Sequence, residues 1–183
     1  MNSEYPLKIV ALVGLCGAGK SEAAHYFLNN GYERVYFGGL TMEELKKRGL
    51  PVNEANERKI REELRASYGM GAYAVLSLPK IEALLQQSKD VLIDGLYSWS
   101  EYKILKQKFP SLILVAIYTA PEIRYSRLEQ RKERPLTREE AMSRDVAEIE
   151  NLEKAGPIAK ADYTVINNGS INDLLTRIQE IFQ

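Results

Sequence analysis

The sequence predicts an α/β chain in which a five-stranded parallel sheet lies between two layers of helices, a three-layer α/β/α sandwich. Three observations predict it. Short apolar runs of strand length alternate with longer segments of helical pattern along the chain. A glycine-rich octapeptide, GLCGAGKS at 14–21, joins the first apolar run to the first helical segment. VLIDGL at 91–96 and LILVAIYT at 112–119 are continuous apolar runs, which suit parallel strands buried on both faces.

KIVALV at 8–13 predicts the first strand, and 20–29 the first helix, closed by Asn30-Gly31. YERVYF at 32–37 predicts the second strand, with Gly38-Gly39 as the turn after it. Thr41 with Glu44 reads as a capping box that opens a helix, and Pro51 breaks that helix. A charged helix spans 54–68, GMG at 69–71 interrupts it, and another helix follows to about 87. The third strand is 91–96. Ser98 with Glu101 then opens a helix over 99–108 that ends near Pro110. After the fourth strand, Pro121 starts a helix expected to run to about Arg134, and Thr137 with Glu140 opens another over 138–154. Gly156-Pro157 makes a turn, YTVIN at 163–167 is the fifth strand, and Ser170 with Asp173 opens the last helix.

Composition bounds the partners. The 183 residues are expected to form one domain, and 25 lysines and arginines against 25 acidic residues leave no global field for nucleic acid or an anionic membrane. The longest apolar run is far too short to span a bilayer, and MNSEYPLK lacks the features of a signal peptide, so a cytoplasmic protein is expected, as a monomer or small homo-oligomer. The single cysteine, Cys16, excludes an internal disulfide and reads as a small loop filler, and the single histidine, His25, reads as a surface or packing residue.

The octapeptide matches the phosphate-binding loop G-x-x-x-x-G-K-[ST] through Gly14, Gly19, Lys20 and Ser21. A strand that turns sharply into a helix aims consecutive backbone N–H groups inward, and Gly14, Gly17, Ala18 and Gly19 keep side-chain bulk out of that turn. Lys20 is expected to reach the transferable phosphate and Ser21 to ligate magnesium, with Glu22 beside them, so ATP and Mg2+ are the expected cofactors. Asp94 ends a buried strand on the side where ligands gather in an open parallel sheet, which suits a magnesium ligand.

Two arginine sets complete the reading. Arg124, Arg127, Arg131 and Arg134 fall within an arc of about 80° if they share one helix, while Glu129 and Glu133 project elsewhere. Like charges on one stripe call for an anion. Followed by KERPLTREE, they read as a lid over about 131–138, with Arg127 and Arg131 as catalytic candidates and Arg144 approaching from the next helix. Arg58, Arg61 and Arg65 also share a helical face, within a helical insertion over about 41–88. They suit an acceptor's phosphate, or pair with the interleaved Glu57, Glu62 and Glu63.

On GLCGAGKS, VLIDG, the RLEQR segment followed by LTREEAMSRD, and ADYTVINNGSINDL, the chain resembles the nucleoside monophosphate kinase superfamily of P-loop proteins. Over its length it looks most like dephospho-CoA kinases and the small archaeal proteins akin to them. The resemblance implies lid roles for Arg127, Arg131 and Arg144, and adenine contact near Asn168 and Gly169. It also implies transfer of the γ-phosphoryl group of ATP to a small nucleotide-like acceptor, dephospho-CoA or a nucleoside monophosphate. The alternative is an ATP-binding P-loop protein of regulatory or hydrolytic function. Two departures stand out: FGGLTMEEL supplies no aspartate just after the second strand, and Tyr97 follows DGL where an arginine is common.

Overall fold

In a computed structural model, residues 7–132 and 134–182 are described. β1 (Ile9–Val13) is buried at all five positions because both of its faces are covered. Its alternate side chains feed two cores. Ile9, Ala11 and Val13 join a cluster with residues of α4 (Ala72–Gln86) and α5 (Trp99–Lys108), whereas Val10 and Leu12 pack against α1 (Lys20–Asn29) and α9 (Ile171–Phe182). The result is the predicted three-layer α/β/α sandwich with a five-stranded parallel sheet and lid-like segments.

The remaining strands are β2 (Glu33–Tyr36), β3 (Val91–Asp94), β4 (Ile113–Tyr118) and β5 (Tyr163–Ile166), and the sheet order is β2-β3-β1-β4-β5. The chain leaves β1 to one side for β2 and β3, then crosses to the other for β4. That reversal opens a crevice beyond the carboxyl ends of the central strands. The loop after β1 and the Asp94 end of β3 both sit there, because Leu12 and Asp94 are register partners. Among the described residues, no helix is long and apolar enough to cross a membrane.

Most predicted elements form within a residue or two of their expected bounds, including α3 (Glu54–Tyr68). The boxes at Ser98–Glu101 and Thr137–Glu140 are formed, and Ser170 and Asp173 bond reciprocally. Gly38-Gly39 is not a turn, and Thr41 is not a cap. Both lie inside α2 (Phe37–Lys47), which starts directly at the end of β2. Phe37 is fully buried, the Tyr36 ring packs where a Cβ on Gly38 would stand, and Thr41 Oγ1 lies 2.6 Å from the Tyr73 hydroxyl. Tertiary packing thus overrides the local glycine signal.

Two helices end early. α6 (Pro121–Glu129) stops five residues before Arg134, because the chain turns to bury Leu136 against Tyr125, Leu128 and Ala141, and Leu136 N donates to Leu128 O. The four-arginine stripe is therefore not one helical face. Arg131 and Arg134 lie beyond the helix, and Glu133, within the expected lid, is outside the described residues. α7 (Arg138–Glu150) ends before 154, and Gly156-Pro157 falls within a short α8 (Ala155–Ala159) rather than a turn. Trp99 N donates to Leu152 O, and the Trp99 ring covers Gly156, where a Cβ would stand 2.9 Å from it.

Candidate functional site

The loop after β1 is held in a conformation that demands glycine at three points. Gly14 has φ +148°, Gly17 +80° and Gly19 +98°, and a Cβ would collide with Ile117 O at Gly14 and with the Asn167 side-chain amide at Gly19. Neighbouring elements pin the loop from outside. Asn167 Nδ2 donates to Ala18 O at 2.8 Å, and Arg124 Nη1 donates to Cys16 O at 3.0 Å. Thr119 Oγ1 lies 3.0 Å from Ala18 O. Lys20 Nζ folds over the loop and donates to Gly14 O at 2.7 Å and Leu15 O at 3.0 Å. Burial, reinforced by the nearby Lys154 ammonium, lowers Lys20 to about 8.

A cleft of about 620 Å³ opens in front of the loop, within the size range of small-molecule sites. It brings together Gly17, Gly19, Lys20, Ser21, Glu22, Asp94, Arg127, Arg131 and Arg144 from the sequence reading. Arg127 Nη2 also donates to Gly169 O at 3.1 Å, and Asn168 Oδ1 accepts from Ala120 N at 2.9 Å, so both residues of that turn are engaged beside the cleft. Gly14 and the buried Ala18 belong to the loop without lining the cleft.

Other candidates lie elsewhere. Arg124 is buried and forked onto Asp145, with Nη1 to Oδ1 at 2.8 Å, and so braces α6 against α7. Arg134 pairs with Glu57 at 2.9 Å. Arg58 pairs with Glu62, and Arg61 with Glu54 and Glu57. Arg65 lies over the Tyr73 ring, with its Nε buried and unpartnered among the described residues. None of these three substrate candidates lines the cleft.

Four lining residues carry chemistry that the sequence reading passed over. Arg34, from β2, donates through Nε to Asp94 Oδ2 at 3.0 Å and through Nη2 to the same oxygen. Tyr36 lies under the Arg34 guanidinium, 4.5 Å from it. Lys154 Nζ donates to Glu148 Oε2 at 2.7 Å, and Glu148 Oε1 meets Arg144 Nε at 3.3 Å. Burial pushes the Glu148 carboxyl up, but Lys154, Lys20 and Arg144 together hold it below its ordinary value. A lone arginine on a strand and a lysine after a helix have no spacing signal. Only the fold brings them to the loop.

The cleft suits a polyphosphate with a hard cation. Six cations (Lys20, Arg34, Arg127, Arg131, Arg144, Lys154) line it against three carboxylates (Glu22, Asp94, Glu148). Among the described residues, no group of three His, Cys, Asp or Glu side chains gathers as a metal cage. Magnesium fits such a place, since it is commonly held by one or two protein oxygens together with phosphate oxygens. A second hollow, of about 340 Å³ beside the start of α7, is lined by Glu129, Pro135, Leu136, Thr137 and Glu140, with no cation among them.

A parallel sheet of this order, with a phosphate-binding loop between its first strand and first helix, defines a P-loop NTPase-type fold. The chain belongs to the AAA-domain family, whose model matches residues 10–153, and to the UPF0200 proteins. A UPF0200 protein of Thermococcus kodakarensis is 36% identical over 177 residues, covering 94% of this chain and 95% of that protein. Among solved structures, a shikimate kinase of Bacteroides thetaiotaomicron is similar with a TM-score of 0.62 at 16% identity, covering 97% of this chain and 99% of that one. A dephospho-CoA kinase of Campylobacter jejuni is similar with a TM-score of 0.56 at 16% identity over 96% of each chain. At such identities the shared property is the fold, common to kinases of different acceptors.

Proposed function

We propose that the chain is an ATP- and Mg2+-dependent phosphotransferase that moves the γ-phosphoryl group to a small nucleotide-like acceptor. The observation that carries this reading is the convergence of Lys20, Ser21, Asp94, Arg127, Arg131 and Arg144 on one cleft. Bound magnesium and ATP would supply the activated phosphoryl group and part of its charge neutralisation. The chain's own part is positioning and charge. The loop N–H groups and Lys20 hold the phosphates, Ser21 and Asp94 offer the metal its protein oxygens, and the three arginines neutralise charge that spreads onto the moving group. In this reading the chain is one domain, with residues 41–88 covering the acceptor and 131–138 acting as a lid. Asn168 and Gly169 touch the adenine, and the 16%-identical structural relatives include both a dephospho-CoA kinase and shikimate kinase.

Two observations favour a second reading, nucleotide binding without transfer. β2 passes directly into α2 with no carboxylate to serve an acceptor hydroxyl, and Asp94 is engaged by Arg34. ADP release from Mg-ATP, measured against dephospho-CoA and a panel of nucleoside and deoxynucleoside monophosphates, separates the two. Transfer predicts acceptor-dependent release that Lys20→Ala abolishes. Nucleotide binding with no release for any acceptor contradicts it.

A further inference from the structure

Lys154 is a cleft cation to which the proposed phosphotransfer assigns no part. It follows α7 in sequence, is 1% exposed, and sits with its Nζ 2.7 Å from Glu148 Oε2 and 5.2 Å from the centre of the Tyr97 ring. An ammonium has three hydrogens to donate, and among the described residues Glu148 is its one hydrogen-bond acceptor. Burying a charge with donors left over is costly, and a lysine in a plain core position is rare. The placement is nevertheless built. Lys154 N donates to Glu148 O, Trp99 N fixes Leu152 O, and the Trp99 ring closes over Gly156. Lys20 and Lys154 both line the cleft, so two ammonium groups face the same space. Two lysines and Arg144 around the single Glu148 carboxylate leave a local excess of positive charge beside the loop.

We propose that Lys154 binds the terminal phosphate of the nucleotide, so that the cleft distinguishes a triphosphate from a diphosphate. Glu148 is then the positioning residue that holds the ammonium in place, and Tyr97 is the floor beneath it. The assignment rests on the nucleotide-binding part of the proposed function and is independent of the acceptor.

Calorimetric titration with Mg-ADP and with Mg-β,γ-imido-ATP tests it on wild type, Lys154→Met and Lys154→Arg. One charge-assisted hydrogen bond predicts that Lys154→Met loses about 10- to 100-fold in affinity for the imido analogue. ADP affinity stays within about threefold, which also certifies the fold, and Lys154→Arg keeps most of the preference. A double variant, Lys154→Met with Glu148→Gln, leaves no unpaired carboxylate and is expected to show the same selective loss. Equal losses for both nucleotides, an unchanged preference, or an effect confined to acceptor affinity overturns the assignment. A wild type that binds nucleotides but transfers to no acceptor ends the phosphotransfer reading while the affinity ratio still decides Lys154. A wild type that binds neither nucleotide overturns both.

Discussion

Glu101 is sealed at the start of α5, where Oε2 accepts from Tyr97 N at 2.7 Å and Ser98 N at 2.9 Å, and Oε1 is buried with no partner among the described residues. Burial dominates these donors and raises the carboxyl from 4.5 to about 7. Between those values the folded chain binds more protons than the unfolded one, so this group's contribution is complete below 4.5 and is lost as pH rises through 7. Glu101→Gln removes that dependence. Denaturant titrations from pH 4.5 to 7.5 should find the stability difference between wild type and variant moving in the variant's favour by on the order of 3 kcal/mol. A difference independent of pH contradicts the account. At this scale the sequence was informative where chemistry has a spacing. Lys20, Ser21 and Asp94 were readable because a loop and a strand end announce them. Arg34 and Lys154 were not, since each is one basic residue among 25 and its position depends on contacts 60 and 6 residues away in sequence.

The junction of α6 and α7 shows how an element-level reading succeeds and then fails. Pro121 and the Thr137–Glu140 box marked both helix starts, because capping is local chemistry. The end of α6 depended on burying Leu136, a tertiary event, so the arginine stripe was split. Its first member, Arg124, became the brace between the two helices and the loop, through Asp145, Cys16 O and Thr119 O. Arg124→Met leaves the Asp145 carboxylate buried without its countercharge, with the Tyr125 hydroxyl as its remaining donor at 3.0 Å. It should cost about 3–5 kcal/mol of stability, read as a lower urea midpoint, and weaken nucleotide binding through the loosened loop. A loss within 1 kcal/mol by the same titration contradicts this role. Arg34 offers the converse case, because it joins β2 to the Asp94 end of β3. Arg34→Ala should tighten Mg2+ binding in the presence of ADP, since one competitor for the Asp94 carboxylate is gone. Weaker Mg2+ binding points instead to a positioning role for the pair.

For the whole molecule, alternating apolar runs sufficed to predict strands, helices and layers, and the three-layer sandwich follows. The order β2-β3-β1-β4-β5 was not readable, because parallel strands buried on both faces look alike in sequence and crossover connections choose their neighbours. That order makes the cleft, by setting β1 between β3 and β4 and bringing Arg34 from an outer strand against Asp94. The same fold carries kinases for different acceptors, so the fate of the phosphoryl group is the property to measure. Phosphorus NMR of Mg-ATP with the protein and each acceptor follows that group directly. The account predicts a new phosphoryl signal on an acceptor, rising with ADP and absent for Lys20→Ala. ADP accompanied only by inorganic phosphate, or no change in ATP that the protein demonstrably binds, contradicts transfer as the function of this cleft.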